Sequence, residues 1–282
     1  MGYYAFTIRT SLKIKELLIH QLTEQGCLGV IDNNDTFTAY FEGSISIKSV
    51  TQELDLAQAL LEKAGQEHGL SYQYTLVPEE NWNESWKKGF KPMDVGEGFT
   101  ILPPWEKPKE GRINLIIDPG MAFGTGHHET TRSCLLLMEK HAPGVPKNRF
   151  LDVGTGTGIL ALAASKLGFK HILAVDNDPL AVEATRLNGE LNNLSDVDIR
   201  EGGITAAEGT FDLITANLIS GILIEIAREI ASRLSSRGIV IISGVLQDQK
   251  EEVFAAMEAG GLELVETRSD GKWIAATLTH HG

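Results

Sequence analysis

Residues 149–158 read Arg-Phe-Leu-Asp-Val-Gly-Thr-Gly-Thr-Gly, an apolar run that breaks straight into three alternating glycines. A short buried strand followed by a bare-backbone turn, with Ile159–Leu167 opening a helix behind it, is the start of a βαβ unit. Gly154, Gly156 and Gly158 have no side chain, so a ligand can lie against the main chain while the new helix turns N–H groups toward it. Asp176 closes the next apolar run, Ile172–Val175, at the distance where nucleoside-binding βαβ units place a carboxylate on ribose hydroxyls. The alternation continues, with strand runs at 149–153, 171–175, 197–200, 211–216 and 238–243. Helical runs lie near 159–168, 179–193, 218–235 and 248–259. Such a chain is expected to form an α/β domain whose parallel sheet is covered on both faces. A glycine turn with a purely structural role is the competing interpretation of 154–158.

The spacing of the glycines bears on which nucleoside is bound. A dinucleotide fingerprint, Gly-x-Gly-x-x-Gly, needs its third glycine at position 159, which is Ile159. Here the third glycine is Gly158. Gly-x-Gly-x-Gly with Asp152 two residues ahead resembles motif I of S-adenosylmethionine (SAM) methyltransferases. The last two strand runs, Leu262–Ser269 and Lys272–Thr279, flank Asp270-Gly271, a strong hairpin signal. A parallel sheet closed by a C-terminal antiparallel hairpin is the Rossmann-like sheet of class I SAM methyltransferases and differs from most dinucleotide folds.

Composition sets further limits. The chain has 282 residues, enough for two domains, and is 42% hydrophobic and 22% charged, the balance of a globular protein. No apolar run nears the roughly 20 residues that span a bilayer, so no membrane association is expected. Cys27 and Cys134 lie far apart and match no metal spacing, which fits a reducing cytoplasm. The net charge of −13 argues against direct nucleic-acid binding over a broad surface and suits a basic partner.

Ahead of the α/β region the pattern changes. Residues 3–10 alternate like a strand, and Ser11 is placed to cap a helix from Leu12 to about Glu24. Leu28–Ile31 and Thr36–Glu42 flank the turn formers Asp32-Asn-Asn-Asp35. A helical stripe, Val50, Leu54, Ala57, Leu61 and Ala64, precedes a last strand, Leu70–Val77. The order β-α-β-β-α-β predicts a ferredoxin-like α+β domain over 1–78. It holds no cluster of catalytic residue types, so it is expected to bind or orient something else. Residues 79–112 contain Trp82, Trp86, Trp105 and four prolines, and read as an ordered linker to a catalytic domain over 113–282. Trp82 and Trp86 either pack against a domain or offer a stacking surface.

A second glycine-rich stretch, Asp118-Pro-Gly-Met-Ala-Phe-Gly-Thr-Gly-His-His-Glu-Thr-Thr131, ends where a helix is expected to begin near His128. It offers N–H groups and the hydroxyls of Thr130 and Thr131; the alternative is that these threonines only cap or begin the helix. His127-His128 does not predict a metal site, because adjacent side chains point apart and no third ligand stands nearby. The pair His280-His281 reads as exposed.

This stretch closely resembles the signature of the bacterial ribosomal protein L11 methyltransferases. So do Trp82-Asn-Glu-Ser-Trp-Lys87, Leu151–Ala161, Val175-Asp-Asn-Asp-Pro179, Ala216-Asn-Leu218 and Ser243-Gly-Val-Leu-Gln247. Many members carry Thr-His-Pro where this chain has His127-His128-Glu129. The resemblance implies a SAM-dependent protein N-methyltransferase acting on lysine side chains and the N-terminal amine of ribosomal protein L11, with residues 1–78 as the substrate-recognition domain. It places Thr131, Gly154, Asp176 and Asn217 at the cofactor-binding positions. No side chain stands out as an obligatory general base, so no catalytic residue is assigned. Asn217 is alternatively an N-cap for the helix after it.

Overall fold

The computed structural model describes residues 3–33, 36–63, 69–77, 90–118, 128–194 and 197–281. The chain divides into two compact units, 1–89 and 90–282.

In the first unit β1 (Tyr3–Thr10), β2 (Cys27–Asn33), β3 (Thr36–Glu42) and β4 (Leu70–Val77) form an antiparallel sheet in the order β2-β3-β1-β4. Helices α1 (Leu12–Glu24) and α2 (Ile47–Lys63) supply the rest of its core. Alternate strand residues Phe6, Ile8, Phe37, Ala39 and Phe41 pack with Leu18, Leu22, Val50 and Leu54. Phe6 lies edge-on to Phe41 at 5.5 Å and stacks on Tyr74 at 5.0 Å. Ser11 stands at the N-cap of α1, but its side chain makes no capping bond. Its carbonyl instead accepts from the Ile14 and Lys15 N–H groups.

The second unit begins earlier than the sequence pattern predicts. Residues 90–112 are not a connector. They contribute β5 (Met93–Val95) and β6 (Phe99–Leu102), which join β7 (Ile113–Ile116) in a three-stranded sheet. Val95, Phe99, Ile101 and Leu102 are buried. Strands of three and four residues are too short to show a period, and prolines beside them mimic a linker. The Arg112 guanidinium ties this piece together by donating to the Gly96 carbonyl at 2.8 Å and the Thr100 hydroxyl at 2.9 Å. Trp82 and Trp86 lie outside the described residues.

A seven-stranded sheet follows, ordered β10-β9-β8-β11-β12-β14-β13. Its strands are β8 (Arg149–Val153), β9 (His171–Asp176), β10 (Val197–Glu201), β11 (Phe211–Asn217), β12 (Leu234–Leu246), β13 (Leu262–Asp270) and β14 (Trp273–His280). β8 to β12 pair in parallel; β14 is antiparallel to both β12 and β13. Helices α3 (Glu129–His141) and α4 (Ile159–Lys166) pack on one face, with Leu135, Met138 and Leu162 against Phe150, Leu213 and Ile241. α5 (Pro179–Leu191) lies on β9 and β10. The other face carries α6 (Ser220–Glu225), α7 (Ala227–Arg233) and α8 (Lys250–Ala259), which place Leu223, Ile230, Val253 and Met257 on Leu151, Ile214 and Val240.

The single helix expected over 218–235 is two, parted at Ile226, where ψ opens to 10°. Ile226 and Ile230 still donate to the carbonyls four residues back, so the apolar stripe runs unbroken across the joint and hides it from the sequence. His280 is half-buried, with its Nε2 3.1 Å from the Leu234 carbonyl, rather than exposed.

Candidate functional site

Strand register assembles the site. Val153 pairs with Val175 on one side and with Ala216 on the other. The next residues, Gly154, Asp176 and Asn217, therefore leave the carboxyl edge of β8, β9 and β11 side by side. β8 sits between strands reached in opposite directions, the switch point where open α/β sheets bind ligands. Thr131 comes to the same place on α3, where the Asn217 amide donates to its hydroxyl at 3.4 Å. Thr131 is 1% exposed and Asn217 is half-buried. The N-cap of α6 is Ile219 and that of α3 is His128, whose Nδ1 accepts from the Thr130 N–H at 3.3 Å. Neither Asn217 nor Thr131 is thus spent as a cap. Of the stretch 118–131, residues 119–127, His127 among them, lie outside the described residues.

The glycine turn differs from expectation in one respect. Gly154, Gly156 and Gly158 all have positive φ, 73°, 57° and 82°, which only glycine adopts freely. Yet their N–H groups are already engaged. Gly154 and Thr155 donate to the Val175 carbonyl at 2.9 and 3.1 Å, and Gly158 donates to Thr155 at 2.9 Å. The Gly156 N–H donates to Asp176 at 2.9 Å. What the turn offers a ligand is close approach rather than free donors.

Close packing also needs these glycines. A Cβ on Gly154 would stand 2.3 Å from Leu218 Cδ2, and one on Gly158 would stand 2.7 Å from Thr185 Cγ2. Leu218 is itself pinned, since its N–H donates to the Ser243 carbonyl at 3.1 Å and Gly244 passes its backbone with no room for a side chain.

Asp152 lies beneath the turn and is completely buried. It accepts from the Thr155 hydroxyl at 2.8 Å and the Thr215 hydroxyl at 2.6 Å. Burial pushes its carboxyl up to about 6, against the pull of those hydroxyls and of the Ala161 N–H in the first turn of α4. An internal carboxylate therefore caps the start of α4 from beneath the turn. Cys134, also buried, has its thiol pushed up to about 12, by burial first and then by the Asp152 charge.

Asp176 retains capacity. Its two oxygens accept from Gly156 and, at 3.0 Å, from the Asp178 N–H. A carboxylate has about four acceptor sites, so both oxygens can also take a ribose hydroxyl. Among the described residues no group of three or more His, Cys, Asp or Glu is placed to hold a metal ion.

Comparison with known proteins gives this geometry its context. The family model of ribosomal protein L11 methyltransferase (PrmA) matches residues 3–281.

The chain belongs to the ribosomal protein L11 methyltransferase family.

As a member it is a SAM-dependent methyltransferase. The ribosomal protein L11 methyltransferase of Pelobacter propionicus is 42% identical over 250 residues, 85% of this chain and 80% of its own length. That of Clostridium perfringens is 39% identical over 198 residues, 69% of this chain and 63% of its own length. The crystal structure of ribosomal protein L11 methylase from Lactobacillus delbrueckii subsp. bulgaricus superposes with a TM-score of 0.64 at 31% identity, covering 68% of this chain and all of that one.

Sequence reasoning missed the residues that hold the glycine turn in shape. Thr185 donates to the Gly156 carbonyl at 3.0 Å, and the Asn188 amide donates to the Thr157 carbonyl at 2.8 Å. Their signal was present, as polar residues on the inward stripe of an amphipathic helix.

Proposed function

We propose that this methyltransferase moves methyl groups from SAM to amines of ribosomal protein L11, on lysine side chains and at the N-terminus. Thr131, Gly154, Asp176 and Asn217 are the cofactor contacts in this reading. The supporting observation is their convergence, three on adjacent strand ends and the fourth bonded to Asn217. Asp176 takes the ribose hydroxyls through a charge-assisted pair of bonds. Gly154 lets the nucleoside approach the backbone, and Thr131 and Asn217 hold the methionine end or the incoming amine.

SAM supplies a methyl group on a sulfonium, an already activated leaving group, so the protein's main task is alignment. The acceptor amine must also be unprotonated. At pH 7 this costs roughly 4–5 kcal/mol for a lysine of pKa near 10.4, and about 1 kcal/mol for an α-amine near 8. Removal of water around the amine offsets part of that cost. No residue is assigned as general base.

In this reading residues 1–78, whose strand and helix order is that of a ferredoxin-like sandwich, recognise the substrate protein. The net charge of −13 suits a basic partner, without direct nucleic-acid contact. A cytoplasmic enzyme accords with the absence, among the described residues, of any helix long and apolar enough to cross a membrane.

The intact mass of ribosomal protein L11 after incubation with enzyme and SAM is the direct test. Added methylene masses are expected on lysines and the N-terminal amine. An unmodified substrate beside turnover on another protein would reject the target and leave the cofactor site standing.

A further inference from the structure

Helix α5 carries three polar side chains on a face removed from water: Thr185 at 1% exposure, Asn188 at 1% and Asn192, just past its last residue, at 3%. They recur at i, i+3 and i+7, a single helical stripe, where an inward stripe ordinarily carries apolar groups. Buried polar groups persist only when paired, so the partners reveal the purpose. Thr185 donates to the Gly156 carbonyl and Asn188 to the Thr157 carbonyl, both in the glycine turn. The Asn188 amide oxygen accepts from the Asp118 N–H at 2.9 Å. Asn192 pairs both ways with Ile116, accepting from its N–H at 3.0 Å and donating to its carbonyl at 2.6 Å.

The three side chains divide the labour. Thr185 touches only the turn in these bonds, and Asn192 touches only the end of β7 together with the Asn188 carbonyl. Asn188 grips both. Its amide is the bridge between a carbonyl of the turn and the backbone where the chain leaves β7. The turn is then fixed on both sides, its N–H groups by Val175 and Asp176 and its carbonyls by α5.

We propose that Asn188 is a positioning residue for the cofactor, joining the Gly154–Gly158 turn and the Asp118 backbone into one preorganised frame for the adenosyl ligand. This rests on the assignment of that turn to SAM. Preorganisation of this kind sets binding rather than the alignment of donor and acceptor once bound. Its loss therefore raises KM for SAM and leaves kcat nearly intact. Asn192→Leu is the control, because it breaks buried bonds of the same ladder without touching the turn.

The experiment compares wild type, Asn188→Leu and Asn192→Leu by calorimetry with S-adenosylhomocysteine, by kcat and KM for SAM, and by amide exchange at Asp118. For Asn188→Leu we expect roughly tenfold weaker binding, with kcat within about threefold. Ligand should slow Asp118 exchange in wild type and not in this variant. Asn192→Leu should keep wild-type affinity even if its Tm falls equally. Wild-type affinity in Asn188→Leu overturns the proposal, as does a parallel loss of affinity in both variants. If Asn188→Leu does not fold, Thr185→Val removes one carbonyl tether and must weaken binding about threefold; unchanged affinity there also overturns it. Failure of the wild type itself to bind S-adenosylhomocysteine would instead refute the assignment of the site.

Discussion

Asp176 and Asp152 are both carboxylates in contact with the glycine turn, and burial divides their work. Asp176 is partly exposed and keeps acceptor capacity toward the ligand. Replacing it with Ala removes the proposed ribose partner and leaves two backbone N–H groups without their acceptor. We expect S-adenosylhomocysteine affinity to fall on the order of a hundredfold by calorimetry, and an unchanged dissociation constant would reject the ribose assignment. Asp152 is buried and satisfied from within, and its carboxyl is raised to about 6 from an ordinary 3.8. A carboxyl raised by folding favours the fold fully below its unfolded value, and that contribution fades as pH climbs through the folded one. Thermal melts of Asp152→Asn should therefore lack the part of the wild-type decline that falls between about pH 4 and pH 6. Identical pH profiles would show that Asp152 does not titrate in that window. At Gly154, alanine meets both a φ of 73° and the Leu218 methyl. Gly154→Ala is expected to cost about 1–3 kcal/mol of stability, read from denaturant midpoints. The placing of Gly154, Asp176 and Asn217 at adjacent strand ends was legible because each stands at the close of an apolar run, a position that spacing reports. The engagement of the turn's N–H groups was not, since it depends on Val175 and Asp176, which spacing cannot place in contact with them.

Among the elements, long strands and helices were readable and short or jointed ones were not. β8, β9 and β11 bury nearly continuous apolar runs, and the hairpin of β13 and β14 announces itself through Asp270-Gly271. β5 and β6 are too brief for any period to emerge. The N-terminus of α3 shows how an element can be held by partners remote in sequence. Arg132 forms an ion pair with Asp270 at 3.0 Å, and His128 stands edge-on to Trp273 at 5.2 Å, so the hairpin end fixes the helix that presents Thr131. Lys140 and His141 bind Glu266 further along the same helix and hold its carboxyl below the usual range. On the inward side of α3, the Cys134 thiol is buried and pushed up to about 12. Since the thiolate is the reactive form, we expect Cys134 to resist iodoacetamide at pH 8 in the folded protein and to react in guanidinium. Labelling of the native protein at Cys134, read by peptide mass mapping, would show that this helix opens readily.

At the level of the whole molecule, the two units have separate cores, one gathered around Phe6, Phe37 and Phe41 and the other on the two faces of the seven-stranded sheet. Each described cofactor candidate belongs to the second unit. A fragment of residues 90–282 is therefore expected to bind S-adenosylhomocysteine within about threefold of the full chain while failing to methylate ribosomal protein L11. Loss of ligand binding in a folded fragment would show that the first unit completes the site. Beginning the fragment at 113, where the change in sequence pattern falls, would remove β5 and β6 and should yield an unstable product. The turn whose glycine amides are answered from within has a wider consequence. ATP, NAD and SAM present the same adenosine, and a cradle built to welcome that portion alone would hardly tell them apart. Here a phosphate tail would find no vacant hydrogen donor on these three glycines, which already give theirs to Val175, Asp176 and Thr155. Fidelity to the methyl donor would then arise from what the enzyme declines to offer its commoner cousins.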